Sequence, residues 1–420
     1  MIRRSMDFRA AALVVGALAV FALAHAEASA AGPKALSRSG KAELDKALVA
    51  AVDRGDTPGV VGLVAGPEGV LYEGTAGKLE TANDEPMRPD AIFNIASMTK
   101  PVTSVAIMML REEGKLQLDD PVSKYLEGFD NLRVIDSFNE VDGTYVTRPA
   151  RRPMTIRHLL THTSGIGYAF SSPIVGRLQQ GTQHTEWQIP LLHDPGDRWT
   201  YGASTRVLGM IVEKLTGEVL EAYYQRRIFQ PLGMVDTSFA VVAEKQARLP
   251  TSHRRNGTAL QEQPRPVSIP TTAPTPSRGD GGLYSTAQDY GRFIRMFLNG
   301  GQLGPARILS GESVRLMGEN HIGPVFVELQ PVGNAALTKP FPLGAGRDEF
   351  GLGFQITAAG DTKHRSPGSL SWAGIQNTEF WIDPQKKVGG VLLMQLLPFY
   401  DDGAIRTLRE FEEAVYRNLN

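Results

Sequence analysis

Ile92-Phe93-Asn94-Ile95-Ala96-Ser97-Met98-Thr99-Lys100-Pro101, continuing into Val102-Thr103-Ser104-Val105-Ala106-Ile107-Met108-Met109-Leu110, decides how the rest of the chain is read. A short apolar run, extended in character, ends at Ala96. A helical pattern begins at or just after Ser97, with Val102, Val105, Ala106, Met109 and Leu110 as its apolar positions. Pro101 fits only a first helical turn, which dates the helix start to just upstream. Ser97 therefore stands at a helix N-terminus, where free N–H groups and the dipole favour developing negative charge. Lys100 lies three residues on and shares its face. A serine at a positive helix end with an amine beside it is the arrangement of an activated nucleophile. Serine is also a common helix cap, and that reading competes. Two features weigh against it: a first-turn lysine opposes the dipole, and the flanks are apolar enough to bury both residues. No other lysine in the chain has a serine three positions before it.

The chain has 420 residues, enough for a large core, and its 44 Lys+Arg nearly balance its 45 Asp+Glu. That balance offers no basic field for a nucleic-acid partner. The absence of cysteine excludes disulfides, cysteine nucleophiles and thiolate metal sites. Arg3, Arg4 and Arg9 precede an apolar core from Ala10 to Ala24, and Ala28-Ser29-Ala30 has the small-x-small pattern of a cleavage site. Residues 1–30 read as a cleavable export signal, which places the mature protein in the periplasm or outside the cell, with no stable membrane association after cleavage.

Further along, residues 34–54 read as an amphipathic helix. Val60–Ala65 and Gly69–Gly74 read as two strands joined at Gly66-Pro67-Glu68-Gly69. Leu118 to Leu126 reads as a short helix, 130–150 as a small hairpin around Asp142-Gly143, and Thr155 to Thr161 as a capped helix. Residues 165–198 are loop-rich, the habit of a binding loop. Helices follow at Ser204–Leu215 and Val219–Phe229, then a long Pro-, Thr- and Ser-rich connection over 250–282 and a helix at Thr286–Leu298. Phe350–Thr357, Glu379–Ile382 and Val388–Leu396 read as strands, and Ala404–Leu419 as a closing helix. Strands at both ends with helices between predict an α/β domain from 31–115 and 281–420, and a mostly helical inserted domain over 116–280.

Partners for Ser97 must come from elsewhere. His158 and His162 have metal-ligand spacing but no third ligand nearby, so a structural role is favoured. Tyr201 falls in a tight turn, Thr200-Tyr201-Gly202-Ala203-Ser204, just before a helix. Ser371-Trp372-Ala373-Gly374-Ile375 carries small residues that allow close backbone approach, as an oxyanion hole requires.

In chain order these three pieces resemble the motifs of serine β-lactamase-like hydrolases, nearest to class C β-lactamases and family VIII carboxylesterases. The resemblance extends to Met154-Thr155-Ile156-Arg157-His158-Leu159-Leu160-Thr161-His162-Thr163-Ser164-Gly165, Phe229-Gln230-Pro231-Leu232-Gly233-Met234 and Gly281-Gly282-Leu283-Tyr284-Ser285-Thr286. It implies the β-lactamase-like fold, with an antiparallel sheet and flanking helices from both chain ends and the site between the two domains. It implies Ser97 as acylated nucleophile, Lys100 and Tyr201 sharing its deprotonation, and the N–H groups of Ser97 and of a residue near Ile375 as oxyanion hole. Trp372, Ala373, Gly374 and Ile375 are then the substrate-binding strand, and neither metal nor organic cofactor is needed.

Two departures direct the substrate. Tyr201-Gly202-Ala203 replaces the Y-x-N of β-lactamases, and Trp372-Ala373-Gly374 replaces their lysine-threonine-glycine, resembling the W-G-G of the family's esterases. Losing that lysine removes a cation for a β-lactam carboxylate. Arg347, Lys363 and Arg365 are the residues upstream that would restore one. Trp187, Trp199 and Trp372 are expected to line an apolar acyl pocket. The expected activity is cleavage of small esters. The alternatives are a β-lactamase or D-amino-acid peptidase acting on amides, and a penicillin-binding or cell-wall-binding protein that acylates without turnover.

Overall fold

The computed structural model describes residues 35–264, 269–360 and 363–420. The expected export signal at 1–30 lies outside the described residues. Helix α1 (Arg38–Asp53) is capped by the Ser37 hydroxyl, which accepts from Gly40 N–H, and it buries Leu44, Leu48 and Ala51. It leads into strands β1 (Gly59–Ala65) and β2 (Val70–Glu80). Helices α2 (Thr99–Glu112), α3 (Ser204–Thr216) and α4 (Ala287–Leu298) follow. Strands β3 (Leu370–Gly374), β4 (Thr378–Asp383) and β5 (Val388–Leu393) then precede helix α5 (Asp402–Asn418).

The chain ends meet in one antiparallel sheet. Its order is Glu349–Phe350, Gln355–Ile356, β3, β4, β5, β1, β2, Glu85–Pro86. The closure is β1 against β5, with Leu63 opposite Val391. β1, β4 and β5 are buried along their whole length, as strands covered on both faces must be. One face carries α1 and α5 over Val60, Val64, Trp381 and Leu392. The other packs α4, through Tyr290, Phe293 and Ile294, on Leu63, Phe380 and Val391. Among the described residues no helix is long and apolar enough to cross a membrane.

Phe411 of α5 is fully buried, with its ring 6.0 Å from Tyr72 and 6.2 Å from Trp381. Phe411→Ala should cost about 3–5 kcal/mol, since the rigid sheet beneath cannot collapse into the void. Urea unfolding measures it, and a loss below about 1 kcal/mol would mean that α5 does not clamp the sheet.

Several elements differ from expectation. Phe350–Thr357 is not one strand but two short ones, Glu349–Phe350 and Gln355–Ile356, paired about a turn at Gly353, whose φ is +99°. Leu118–Leu126 holds only a 3-10 turn, Val122–Lys124. Val219–Phe229 is an α-helix at Leu220–Tyr224 that widens into a π-turn over Gln225–Phe229. The loop-rich 165–198 contains a helix, Pro173–Gln179, capped by Ser172. The 250–282 connection includes a hairpin, His253–Asn256 with Ala259–Glu262, which pairs in parallel with Leu396–Leu397. Local pattern misses that last pairing because its partner lies far along the chain.

Candidate active site

The Ser97 segment is fastened before it reaches the helix. Phe93–Asn94 pairs with Tyr284–Ser285, and Ile95 N–H donates to the Leu283 carbonyl at 3.0 Å. Ala96 then takes φ +43°, a left-handed conformation costly for a residue with a Cβ. A 3-10 turn over Ala96–Met98 carries Ser97 into α2. The Thr99 hydroxyl closes the turn by donating to the Ala96 carbonyl at 2.7 Å, and it accepts from Leu283 N–H at 3.2 Å. Ser97 is thus presented half-buried on a strained, braced turn at the head of a buried helix.

Lys100 and Tyr201 converge on it. Lys100 Nζ donates to Ser97 Oγ at 3.0 Å and to the Asp280 carbonyl at 2.7 Å. The Tyr201 hydroxyl donates to Ser97 Oγ at 2.7 Å. Lys100 is 2% exposed and lies 4.8 Å from the centre of the Tyr201 ring. Tyr201 can reach because the chain behind it is pressed flat: a Cβ on Gly202 would collide with the Ile166 carbonyl. Gln330 Oε1 also accepts from Tyr201 N–H at 3.1 Å.

The electrostatics follow from burial. It drives Lys100 down to about 7; the Asp280 carboxylate opposes that shift, and Arg278 and Arg206 add to it. Burial holds Tyr201 well above its ordinary value, so its phenol stays protonated. For Asp280, burial alone would raise the carboxyl, but Lys100, Arg278 and Arg206 more than offset it and keep it ionised. Asp280 accepts from Arg206 Nε at 3.1 Å, from Arg278 Nε at 3.3 Å and from the Tyr168 hydroxyl. Sequence reading missed Asp280, Arg206, Arg278 and Tyr168. The stretch from Gly281 on was legible through its likeness to the family, but nothing local marks Asp280 itself, and its partners Lys100, Tyr168 and Arg206 lie far away in the chain.

Ser97 opens into a cleft of about 700 Å³, walled by Tyr168, Phe170, Leu337 and Ile375, with Arg206, Arg278, Glu186 and Asp280 at its polar side. Of the expected binding strand, Ile375 lines this cleft. Gly374 lets β3 approach the Ser97 turn, since a Cβ there would strike the Ile95 carbonyl. Trp372 and Ala373 do not wall this cleft, and Trp372 meets the site through Tyr201. Side chains alternate along a strand, so Trp372 faces inward and Ala373 points to the opposite side of the sheet. The Trp372 ring packs behind Tyr201, with centroids 5.1 Å apart, and against His162 and Phe350.

The expected tryptophan pocket is corrected. Trp199 is wholly buried, and Trp187 lies under the Arg206 guanidinium at 5.7 Å. The cations differ too. Arg347 and Arg365 pair with Asp348 and Glu412 around another cavity, and Lys363 lies 3.9 Å from Glu413. Arg206 and Arg278 take their place beside Ser97. His158 Nδ1 accepts from Thr155 N–H as part of a helix cap, and His162 is buried against Tyr201.

A serine beside a buried low-pKa lysine and a tyrosine, set against the end of β3 in a sheet built from both chain ends, defines a class of acyl-transferring serine enzymes. A family model described as Beta-lactamase matches residues 44–414, and the chain belongs to that family. It is an enzyme of the family's serine hydrolase and acyltransferase class. An uncharacterized protein of Mycobacterium tuberculosis is 37% identical, over 82% of this chain and 88% of its own. Lovastatin esterase of Penicillium rubens is 28% identical, over 90% and 98%. The solved structure of simvastatin synthase from Aspergillus terreus superposes with a TM-score of 0.76 at 25% identity, covering 90% of this chain and 98% of that one.

Proposed function

We propose that the protein cleaves neutral carboxylic esters through an acyl-enzyme on Ser97, after export directed by residues 1–30. The observation that carries this reading is the convergence of Lys100 Nζ and the Tyr201 hydroxyl on Ser97 Oγ, at 3.0 and 2.7 Å. Neutral Lys100 takes the Oγ proton as Ser97 attacks the ester carbonyl. The leaving alkoxide receives a proton from the Lys100–Tyr201 pair and departs as the alcohol. Water then adds to the acyl-enzyme, its proton passing to the same pair, and the acid leaves as Ser97 is regenerated. The N–H groups of Ser97 and Ile375 are the candidate donors to the oxyanion.

Three observations favour a neutral substrate. Ala203 stands where an amide side chain would meet a lactam substituent. Trp372 supplies no cation and turns its ring inward. Arg206 and Arg278 both spend charge on Asp280, and Glu186 lies 3.5 Å from Arg206. The esterase named among the relatives supports the same class.

Losing one charge-assisted hydrogen bond costs about 1.5–3 kcal/mol, roughly tenfold to a hundredfold. With the amide at position 203 missing as well as the cation at 372, short-chain p-nitrophenyl esters should exceed a chromogenic cephalosporin in kcat/KM by at least ~100-fold. D-amino-acid amides in the same panel test the peptidase alternative. Comparable efficiency on the cephalosporin would put the β-lactamase reading first. Acylation without turnover on every substrate would put the penicillin-binding reading first.

Transfer of the acyl group to an alcohol in place of water is a second reading, favoured by the superposition on a synthase. Added alcohol would then divert product from acid to ester, with the total rate of acyl-enzyme formation unchanged.

Export has its own check. The secreted chain should begin near Ala31, as read by N-terminal sequencing. Recovery of the full-length chain from membranes would contradict it.

A further inference from the structure

A second cavity, of about 470 Å³, lies on the other face of the sheet from Trp372's ring, between β3, β4 and α5. It shares no lining residue with the Ser97 cleft. Ala373 and Glu379, directly opposite each other on β3 and β4, form its floor. Leu408 and Glu412 of α5 form one side, and Phe399, Tyr400 and the 341–348 loop another.

Most of the charges here are already satisfied. Arg365 makes a two-pronged contact with Glu412, at 2.9 and 2.7 Å. Asp348 accepts from Gln355 Nε2 at 2.8 Å, and from Arg347 Nε and Ala358 N–H at 3.3 Å. Glu379 is the exception. It is 7% exposed and lines the cavity, and its Oε1 has no hydrogen-bond partner. Burial pushes its carboxyl up to about 8; Arg365 opposes that shift and Glu412 reinforces it. A buried carboxyl without a donor is costly, and the cost is relieved by a donor or a cation.

What Glu379 lacks is therefore a donor of its own, not another acid. The cavity's deep groups are Glu379, Glu412 and Asp348 against Arg365, which is engaged with Glu412; His364 is half-exposed in the lining, and Arg347 and Arg409 stand exposed at the rim. Phe341, Phe399 and Tyr400 offer an apolar, aromatic wall suited to the body of an organic cation. The volume lies in the range that holds a small organic molecule.

We propose that this cavity is a second binding site, for a protonated amine on a short aromatic or alkyl body, with its ammonium held by Glu379. The site stands apart from the ester-cleaving reading and does not depend on it. Its wall touches the first site from behind through Phe341, which lines it and packs against the Tyr201 ring at 5.5 Å.

The test uses the full chain and 4-bromophenethylammonium as probe. Calorimetry should give saturable one-to-one binding, with a proton released as Glu379 ionises to meet the ammonium, weakened about tenfold or more by Glu379→Gln, which keeps shape but cannot ionise. Thr357→Phe, at the half-exposed rim, should weaken binding by occluding the mouth, and 2-(4-bromophenyl)ethanol should bind at least tenfold more weakly than the amine. Anomalous diffraction from soaked crystals should place the bromine among Phe341, Phe399 and Tyr400. Circular dichroism confirms that both variants are folded. Absence of saturable binding, equal affinity in Glu379→Gln, or bromine in the Ser97 cleft would each overturn the proposal.

Discussion

Ser97→Ala is expected to lower ester turnover by about 10⁴-fold or more and to abolish labelling by a fluorophosphonate, while the protein stays folded. Ser97 Oγ is the atom on which both Lys100 Nζ and the Tyr201 hydroxyl converge, so its removal leaves the lysine and the phenol with nothing to activate. The backbone around it does not depend on the hydroxyl. The turn is held by Thr99, by the Phe93–Asn94 pairing and by Tyr290, whose hydroxyl donates to the Met98 carbonyl at 2.9 Å. Thermal unfolding should accordingly be almost unchanged. The measurement is intact and peptide mass spectrometry after incubation with the probe. Label that persists in Ser97→Ala, or that maps to another serine, would sink the assignment.

Lys100→Arg is expected to slow acylation by about 100-fold or more, because arginine keeps the charge but does not act as a base near neutral pH. In the native enzyme, burial brings Lys100 to about 7, so a large share of it is neutral where an ordinary lysine would be almost wholly charged. The sign is fixed by that form. Activity needs the neutral amine, so kcat/KM should rise with pH through a midpoint near 7 and level off above it. Lys100→Arg should lose that limb as well as the rate. Tyr201 is held protonated by burial, so it is not expected to supply the midpoint. A pH profile of pre-steady-state acylation with p-nitrophenyl acetate tests both parts. Near-normal acylation in Lys100→Arg would make the lysine structural.

The sheet strands and long helices were legible because their signals are local. Pro101 and the apolar spacing from Val102 to Leu110 announce α2. The hydrophobic runs at Val60–Ala65 and Val388–Leu393 announce two strands that are buried on both faces. Errors came where a run of apolar residues hides a turn, as at Gly351-Leu352-Gly353, or where a pairing partner is remote, as for His253–Asn256 with Leu396–Leu397.

The sequence by itself determined the serine at a helix start with its lysine three residues on, since one turn of helix places those two together whatever the rest of the chain does. Its likeness to a family pointed to Tyr201. Only the tertiary structure decided what surrounds them. It brought Tyr168, Arg206 and the Arg278–Asp280 pair from three separate stretches into one charged cluster beside Lys100. It turned Trp372 inward behind Tyr201 and left Glu379 Oε1 without a hydrogen bond in a second cavity. The reason is physical. Backbone periodicity is written in neighbours a few residues apart, whereas the face a strand residue presents, and the charges that meet there, depend on long-range packing of the whole chain.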